Sequence, residues 1–185
     1  MAVEQREAPD EELVVWAQAD SAAFIELYRR YADAIYRYCS RRSGSREIAE
    51  DWTAQVFLKA LAHLPAYRSG SFRAWLFRIA HNVVTDGYRT RREHAPLDQA
   101  NEIQAVERGP ESLALLDETR RELQAALASL PAEQRDVTEL RLAGLSAAEI
   151  AETLGRSIPS VKSAQYRAFA KLRRTLADHN PGEPR

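Results

Sequence analysis

The 185-residue sequence has a single cysteine, Cys39, so no disulfide can form within the chain and no thiolate cluster can hold a metal. Its four histidines, His63, His81, His94 and His179, stand at no metal-ligand spacing, and the seven glycines form no phosphate-cradling loop. No catalytic residue, metal or cofactor is therefore expected, and an enzyme is disfavoured. Nowhere do apolar residues run on for the length of a membrane span, and the segment Met1 to Glu12 is acidic rather than basic and then apolar. These two gaps predict neither a membrane helix nor a signal peptide, and hence a cytoplasmic protein with no membrane partner. No stretch alternates apolar and polar residues as a half-buried strand must, so no sheet is expected.

What the sequence does have is charge, and the charge is segregated. The formal net value of −1 hides two basic islands. Arg68 to Arg92 holds six arginines and one aspartate; Gly155 to Arg174 holds four arginines, two lysines and no acid. Residues 1–20 carry six acids against one arginine, and residues 93–122 carry eight acids against three arginines. Two cationic islands separated by an acidic bridge suit two contact points on a polyanion, with the acidic parts turned elsewhere.

Apolar residues recur at helical spacing throughout, which predicts an all-α chain with room for two small domains of roughly 70–80 residues each. The first domain, residues 10–93, begins with a short helix at Leu13 to Ala19. Asp20 and Ser21 then cap a helix with the stripe Phe24, Leu27, Tyr28, Tyr31, Ile35, Tyr38 and Cys39, which ends before Gly44. A second long helix starts near Ser45, turns Ile48, Trp52, Val56, Ala60 and Leu64 inward and stops at Pro65, because proline lacks the amide that a helix interior needs. Ser71 caps a third, with Phe72, Trp75, Leu76, Ile79, Ala80 and Val83 on its buried face. Residues 94–110 lose periodicity, gain acids and are bracketed by Pro96 and Gly109-Pro110, which marks an acidic flexible linker. The second domain spans 111–178: Leu113, Leu116, Leu123, Leu127 and Leu130 share one helix, Pro131 breaks it, and Val137 and Leu140 belong to the next. A polar, disordered tail is expected from Asp178 onward, 179–185 lying outside any domain.

The second basic island reads as a helix-turn-helix. Ser146 and Glu149 form a capping box that opens a short helix with Ile150, Ala151 and Leu154 inward, and Gly155 makes the corner. After Arg156-Ser157-Ile158, Pro159 and Ser160 start a longer helix with Val161, Ala164, Ala168, Leu172 and Leu176 inward. Lys162, Ser163, Tyr166, Arg167, Lys171 and Arg174 are left outward, as on a helix that reads the major groove. The first island has a polar stripe of its own, Arg78, Asn82, Thr85 or Asp86, and Arg89, with Arg91 and Arg92 beyond it. Aromatics lie nearby at Tyr67, Phe72, Trp75 and Tyr88; most belong to the core, while Tyr67 and Tyr88 are the candidates for stacking on single-stranded bases.

With these motifs in place, the chain resembles the extracytoplasmic-function sigma factors, the minimal members of the sigma-70 family, from about Phe24 to Leu176. REIAEDWTAQVFLKAL (Arg46 to Leu61) is similar to the family's polymerase-binding helix and FRAWLFRIAHNVVTDGYRTRRE (Phe72 to Glu93) to its promoter-melting helix. The block Leu127 to Leu176 resembles the domain that binds the upstream promoter element. The resemblance implies a factor that brings RNA polymerase core to promoter DNA and opens it there. It implies that Glu50, Asp51, Gln55 and Phe57 dock on the clamp helices of the beta-prime subunit, with the beta flap as a further contact. Tyr67, Arg68, Arg78, Asn82, Asp86, Arg89, Arg91 and Arg92 would hold the minus-10 element, including a base flipped from the stack. Arg156, Ser160, Lys162, Ser163, Tyr166, Arg167 and Lys171 would bind the minus-35 element, and an anti-sigma protein is an open further partner. The chain departs from the family's frequent pattern at Ala54, which stands beside Gln55 where a glutamine is common, and at Pro159, Ala164 and Gln165. In the linker, Asp98, Glu102 and Glu107 form an acidic string that would either mimic nucleic acid within the polymerase and yield to the growing transcript or serve only as a solvated tether.

One rival is a helix-turn-helix regulator of the response-regulator type, which shares the pattern of the second half. It requires alternating strands for a receiver sheet in the first half, where the sequence has none.

Overall fold

The computed structural model describes residues 8–94 and 122–179, with side chains placed through 90 in the first stretch and 175 in the second. Every regular element among the described residues is helical, as the periodicity predicts. The chain divides into two compact units, Met1–Gln104 and Ala105–Arg185. The expected linker, its acidic string and the leucines at 113 and 116 lie outside the described residues.

In the first unit, α1 (Asp10–Ala19) starts three residues before the expected Leu13, because Pro9 permits a first turn led by Asp10, Glu11 and Glu12, whose charges suit the helix N-terminus. Asp20 caps as expected, accepting from the Ala22 amide at 2.9 Å, but it opens a 3₁₀ turn (Ser21–Ala23) before α2 (Phe24–Ser43) begins. α3 (Arg46–His63) ends in a second 3₁₀ turn, Leu64–Ala66, where Pro65 falls. α4 (Phe72–His94) runs one residue past the expected domain end, its start capped by Ser71, whose Oγ accepts from the Ala74 amide at 3.2 Å.

The core of this unit lies between α2, α3 and α4. Leu27, Ile35, Tyr38, Val56, Ala60, Leu76 and Phe77 are fully enclosed, each large apolar side chain stabilising the fold by about 1.5–3 kcal/mol relative to exposure. Two expectations shift. Ala74, Phe77 and Val84 join the buried face of α4, because a helix packed against two neighbours needs a wider apolar face than one stripe. Tyr28 stays 44% exposed, its ring meeting Phe57 edge-on at 4.7 Å. Behind α4, Tyr38 donates toward or accepts from His81 Nδ1 at 3.4 Å, so His81 is not a plain surface residue. Cys39 is the buried core residue expected, and burial pushes its thiol up from an ordinary 9.0 to about 11, against the Thr53 hydrogen bond and the Arg41 charge.

Gly87 explains how α4 comes so close to α3. A Cβ built there would stand 2.6 Å from the indole of Trp52, which is itself buried, so only glycine allows the two helices this approach. The next residue, Tyr88, meets the Trp52 ring edge-on at 5.6 Å, carries the Arg42 guanidinium over its face at 5.6 Å, and donates its hydroxyl to the Arg42 carbonyl. Tyr88 is therefore a packing residue, which corrects its selection as a free stacking platform.

In the second unit, residues 122–128 are helical, Pro131 breaks the chain, and α6 (Ala132–Leu142), α7 (Ala147–Leu154) and α8 (Ile158–His179) follow, with α5 denoting the 122–128 helix. Leu127, Leu130 and Ala168 form one buried cluster with Leu172 against it. Arg135 holds the corner before α6: its guanidinium donates to the carbonyls of Leu127 at 3.0 Å, of Leu130 at 3.3 Å and of Ala128. Of these, the Leu127 and Ala128 carbonyls belong to the last turn of the 122–128 helix, where acceptors lack the amide that a further helical turn would supply. α8 continues through His179, so the expected tail cannot begin at Asp178; residues 180–185 lie outside the described ones.

Candidate nucleic-acid interface

Each unit presents one cationic helical surface. On α4 the residues Arg78, Asn82, Asp86 and Arg89 are all exposed and recur within about one side of a 3.6-residue helix, opposite the buried Ala80, Val83 and Val84. Arg89 and Asp86 lie 3.5 Å apart as a solvated pair, so the stripe is cationic but internally tied. Arg91 and Arg92 continue the helix, their side chains lying outside the described ones.

The loop leading into α4 is braced rather than slack. Tyr67 donates its hydroxyl to the Gly70 carbonyl at 2.6 Å, and its ring meets Trp75 at 5.2 Å and Phe72 at 6.0 Å. Arg68 donates to the Pro65 carbonyl at 2.7 Å. From α1, the Gln18 amide nitrogen donates to the carbonyls of Leu64 and Tyr67, both at 2.9 Å, which employs both of its protons. No local signal marks Gln18, because its partners are more than forty residues away. No local signal marks Gly87 either, since an isolated glycine inside a helical pattern reads as tolerated rather than required.

A third cationic-and-acidic surface lies on α3. Glu50 accepts from Arg46 at 2.8 Å, and Gln55 donates to Asp51 at 2.7 Å; all four are exposed, at helical spacing of four. Arg46 is held more firmly protonated by the Glu50 carboxylate. Phe57 does not share this surface. It is 6% exposed, with Phe24 and Tyr28 edge-on to its ring, so it supports the helix from within, and Leu58 and Leu61 are the exposed apolar residues beside it.

The helix-turn-helix forms from the local signals that predicted it. Glu149 donates its amide to Ser146 Oγ at 3.2 Å while the Ser146 amide donates to the Glu149 carboxylate at 2.8 Å, a complete capping box at the start of α7. Gly155 ends α7 at φ 64°, left-handed backbone that favours glycine. Two details change. Thr153 is buried where Leu154 was expected, Leu154 being half-buried. α8 begins at Ile158 and is capped by Ser157, whose Oγ accepts from the Ser160 amide at 3.4 Å, which places Ser160 in its first turn.

On α8, Val161, Ala164 and Ala168 are fully buried, which leaves Lys162, Ser163, Tyr166 and Arg167 facing solvent, Tyr166 at 78% exposure. Lys171 is half-buried and donates to the Ser129 carbonyl at 2.6 Å, so it ties α8 to the end of α5 instead of standing free on the outward face. Arg156 reaches Glu133 of α6 at 2.5 Å, and Arg167 reaches the same carboxylate oxygen at 3.9 Å. Among the described residues no cluster of histidine, cysteine and carboxylates could hold a metal, and no helix is long and apolar enough to cross a membrane.

This arrangement matches known proteins in both units. The profile of Sigma-70 region 2 fits residues 27–94, and that of Sigma-70, region 4 fits residues 120–172. The ECF RNA polymerase sigma factor BldN of Streptomyces coelicolor is 39% identical over 90% of this chain and 66% of its own length. The ECF RNA polymerase sigma factor SigE of Mycolicibacterium smegmatis is 36% identical over 96% of this chain and 72% of its own. Among solved structures, CnrH in complex with the cytosolic domain of CnrY superposes with a TM-score of 0.72 at 26% identity, over 91% of this chain and 97% of that one. The sigma factor RpoE in complex with the anti-sigma factor NepR, from Bartonella quintana, gives 0.69 at 27% identity, over 83% and 96%. With both regions matched in order on the two helical units just described, the chain belongs to the extracytoplasmic-function RNA polymerase sigma factors of the sigma-70 family.

Proposed function

We propose that this chain acts in the cytoplasm as a promoter-specificity factor whose two units, residues 10–93 and 111–178, hold separate promoter elements while α3 holds the polymerase. One observation carries the reading: each unit exposes a cationic helical face, and each face is fixed from behind by a closed apolar core. Arg78, Asn82 and Arg89, with Asp86 and the braced loop at Tyr67 and Arg68, receive the minus-10 element. Extruding a base from a duplex costs a few kcal/mol, and a pre-formed loop spares the ordering cost on capture. Lys162, Ser163, Tyr166 and Arg167 meet the minus-35 major groove, where phosphate contacts position the helix and base-edge contacts select the site.

Glu50, Asp51 and Gln55 face the beta-prime clamp helices, and the region 4 unit faces the beta flap. Two relatives of similar fold are seen with a protein partner, NepR or the CnrY cytosolic domain, so an anti-sigma protein is proposed as a regulator here as well. The protein makes and breaks no bond; its work is binding and strand separation.

Run-off transcription with purified core polymerase on a promoter library tests this. Replacing Arg78, Asn82 and Arg89 together by alanine should abolish open-complex formation and leave core binding intact. Retained opening would reject the α4 stripe, and a wild-type chain that directs no specific start would reject the whole reading.

A further inference from the structure

We propose that Glu133 competes with DNA phosphate for Arg156 and Arg167, and so restrains the helix-turn-helix from binding DNA of the wrong sequence. The proposal rests on the reading of α7 and α8 as the minus-35 reader. Glu133 lies in the first turn of α6, outside the helix-turn-helix proper, yet one of its carboxylate oxygens meets both guanidinium groups, at 2.5 Å from Arg156 and 3.9 Å from Arg167. Arg156 stands in the turn and Arg167 on the outward face of α8, so the two cations that flank the reading surface share one anion.

The strength of that hold decides what it can do. The side chains are 35% to 55% exposed, in the range where an ion pair is worth about 0–1 kcal/mol. Such a pair cannot block DNA, but it can be exchanged for a phosphate, and the exchange leaves a carboxylate close to the sugar-phosphate backbone. Every duplex meets that repulsion. The compensation differs: the carboxylate also draws the Arg156 guanidinium, and more weakly that of Arg167, toward one place, which helps only when base edges and phosphates lie there. A duplex in the wrong register takes the repulsion without the benefit. Glu133 is thus a positioning residue with a charge-dependent effect on specificity.

The neighbouring cations do not serve the same purpose. Lys171 is engaged by the Ser129 carbonyl and Arg174 by the Ala170 carbonyl at 3.3 Å, both internal acceptors without charge. Glu133 brings a negative charge to two cations of this surface, Arg156 and Arg167.

The test uses holoenzyme assembled from the full chain and core polymerase, titrated with KCl on promoter fragments whose upstream element is either matched or scrambled. Glu133→Gln keeps the size and removes the charge. It should raise affinity for the scrambled fragment several-fold and for the matched fragment less, lowering the ratio. The slope of log affinity against log salt should steepen by roughly one, the value for one added phosphate contact. Glu133→Asp, which keeps the charge, should hold scrambled binding near the wild-type level. Glu133→Ala takes the place of the glutamine variant if that one melts below the assay temperature. Unchanged scrambled binding and an unchanged slope in the neutral variants would overturn the proposal while leaving the minus-35 reading intact. A wild-type holoenzyme indifferent to the upstream element would instead remove the ground of both.

Discussion

The two units arrive at a cationic helical face by opposite routes. In the region 4 unit the face follows from signals a few residues apart: the Ser146–Glu149 box, the left-handed Gly155 and the buried Val161 set α8 against α7. In the region 2 unit the stripe on α4 depends on partners far along the chain, with Gly87 against Trp52, Tyr88 on Arg42, and Gln18 bracing the loop from α1. A locally specified surface should tolerate loss of one signal, whereas a surface specified by close helix approach should not.

The largest contrast should come from Gly87→Val. Side-chain atoms added 2.6 Å from the indole have nowhere to go, because Trp52 is enclosed, so overpacking should cost about 3 kcal/mol. Urea denaturation followed by tryptophan fluorescence reads this directly, and a midpoint equal to wild type would show that α3 and α4 can separate freely. Ser146→Ala removes one capping acceptor and should cost about 1 kcal/mol, confined to the region 4 unit. Amide exchange should rise over Ala147 to Leu154 and stay unchanged in α4; a loss as large as that of the glycine variant would erase the distinction.

The smallest effect concerns Cys39 in the region 2 core. Its folded thiol titrates near 11, above the ordinary 9.0, because burial disfavours the thiolate. The neutral thiol therefore contributes stability that is fully present below pH 9.0 and is lost as pH rises through about 11. At pH 8 a soluble thiol reagent should label the native chain far more slowly than the denatured one. Equal rates would mean that this part of the core opens readily.

The same contrast governs what could be read from sequence. The long helices, the breaks at Pro65 and Pro131, the capping box and the glycine corner depend on spacing and backbone chemistry, and among the described residues they lie within a few positions of where the residues placed them. What spacing alone does not show is what a third dimension decides. Phe57, a docking residue by the family resemblance, is packed against Phe24 and Tyr28, and Tyr88 against Trp52; Lys171 bonds backward to Ser129. Glu133 and Arg135 were invisible for a related reason: nothing in their own stretch indicates that one reaches across to the turn and the other back to the preceding carbonyls.

The contact of Gly87 with Trp52 also bears on how chains of this architecture can diverge. An indole on one helix and a bare backbone on the other fill a shared volume, so neither position is free to drift alone. A smaller ring or aliphatic group at Trp52 would open space for a methyl at Gly87, and descendants of this sequence should carry both changes or neither.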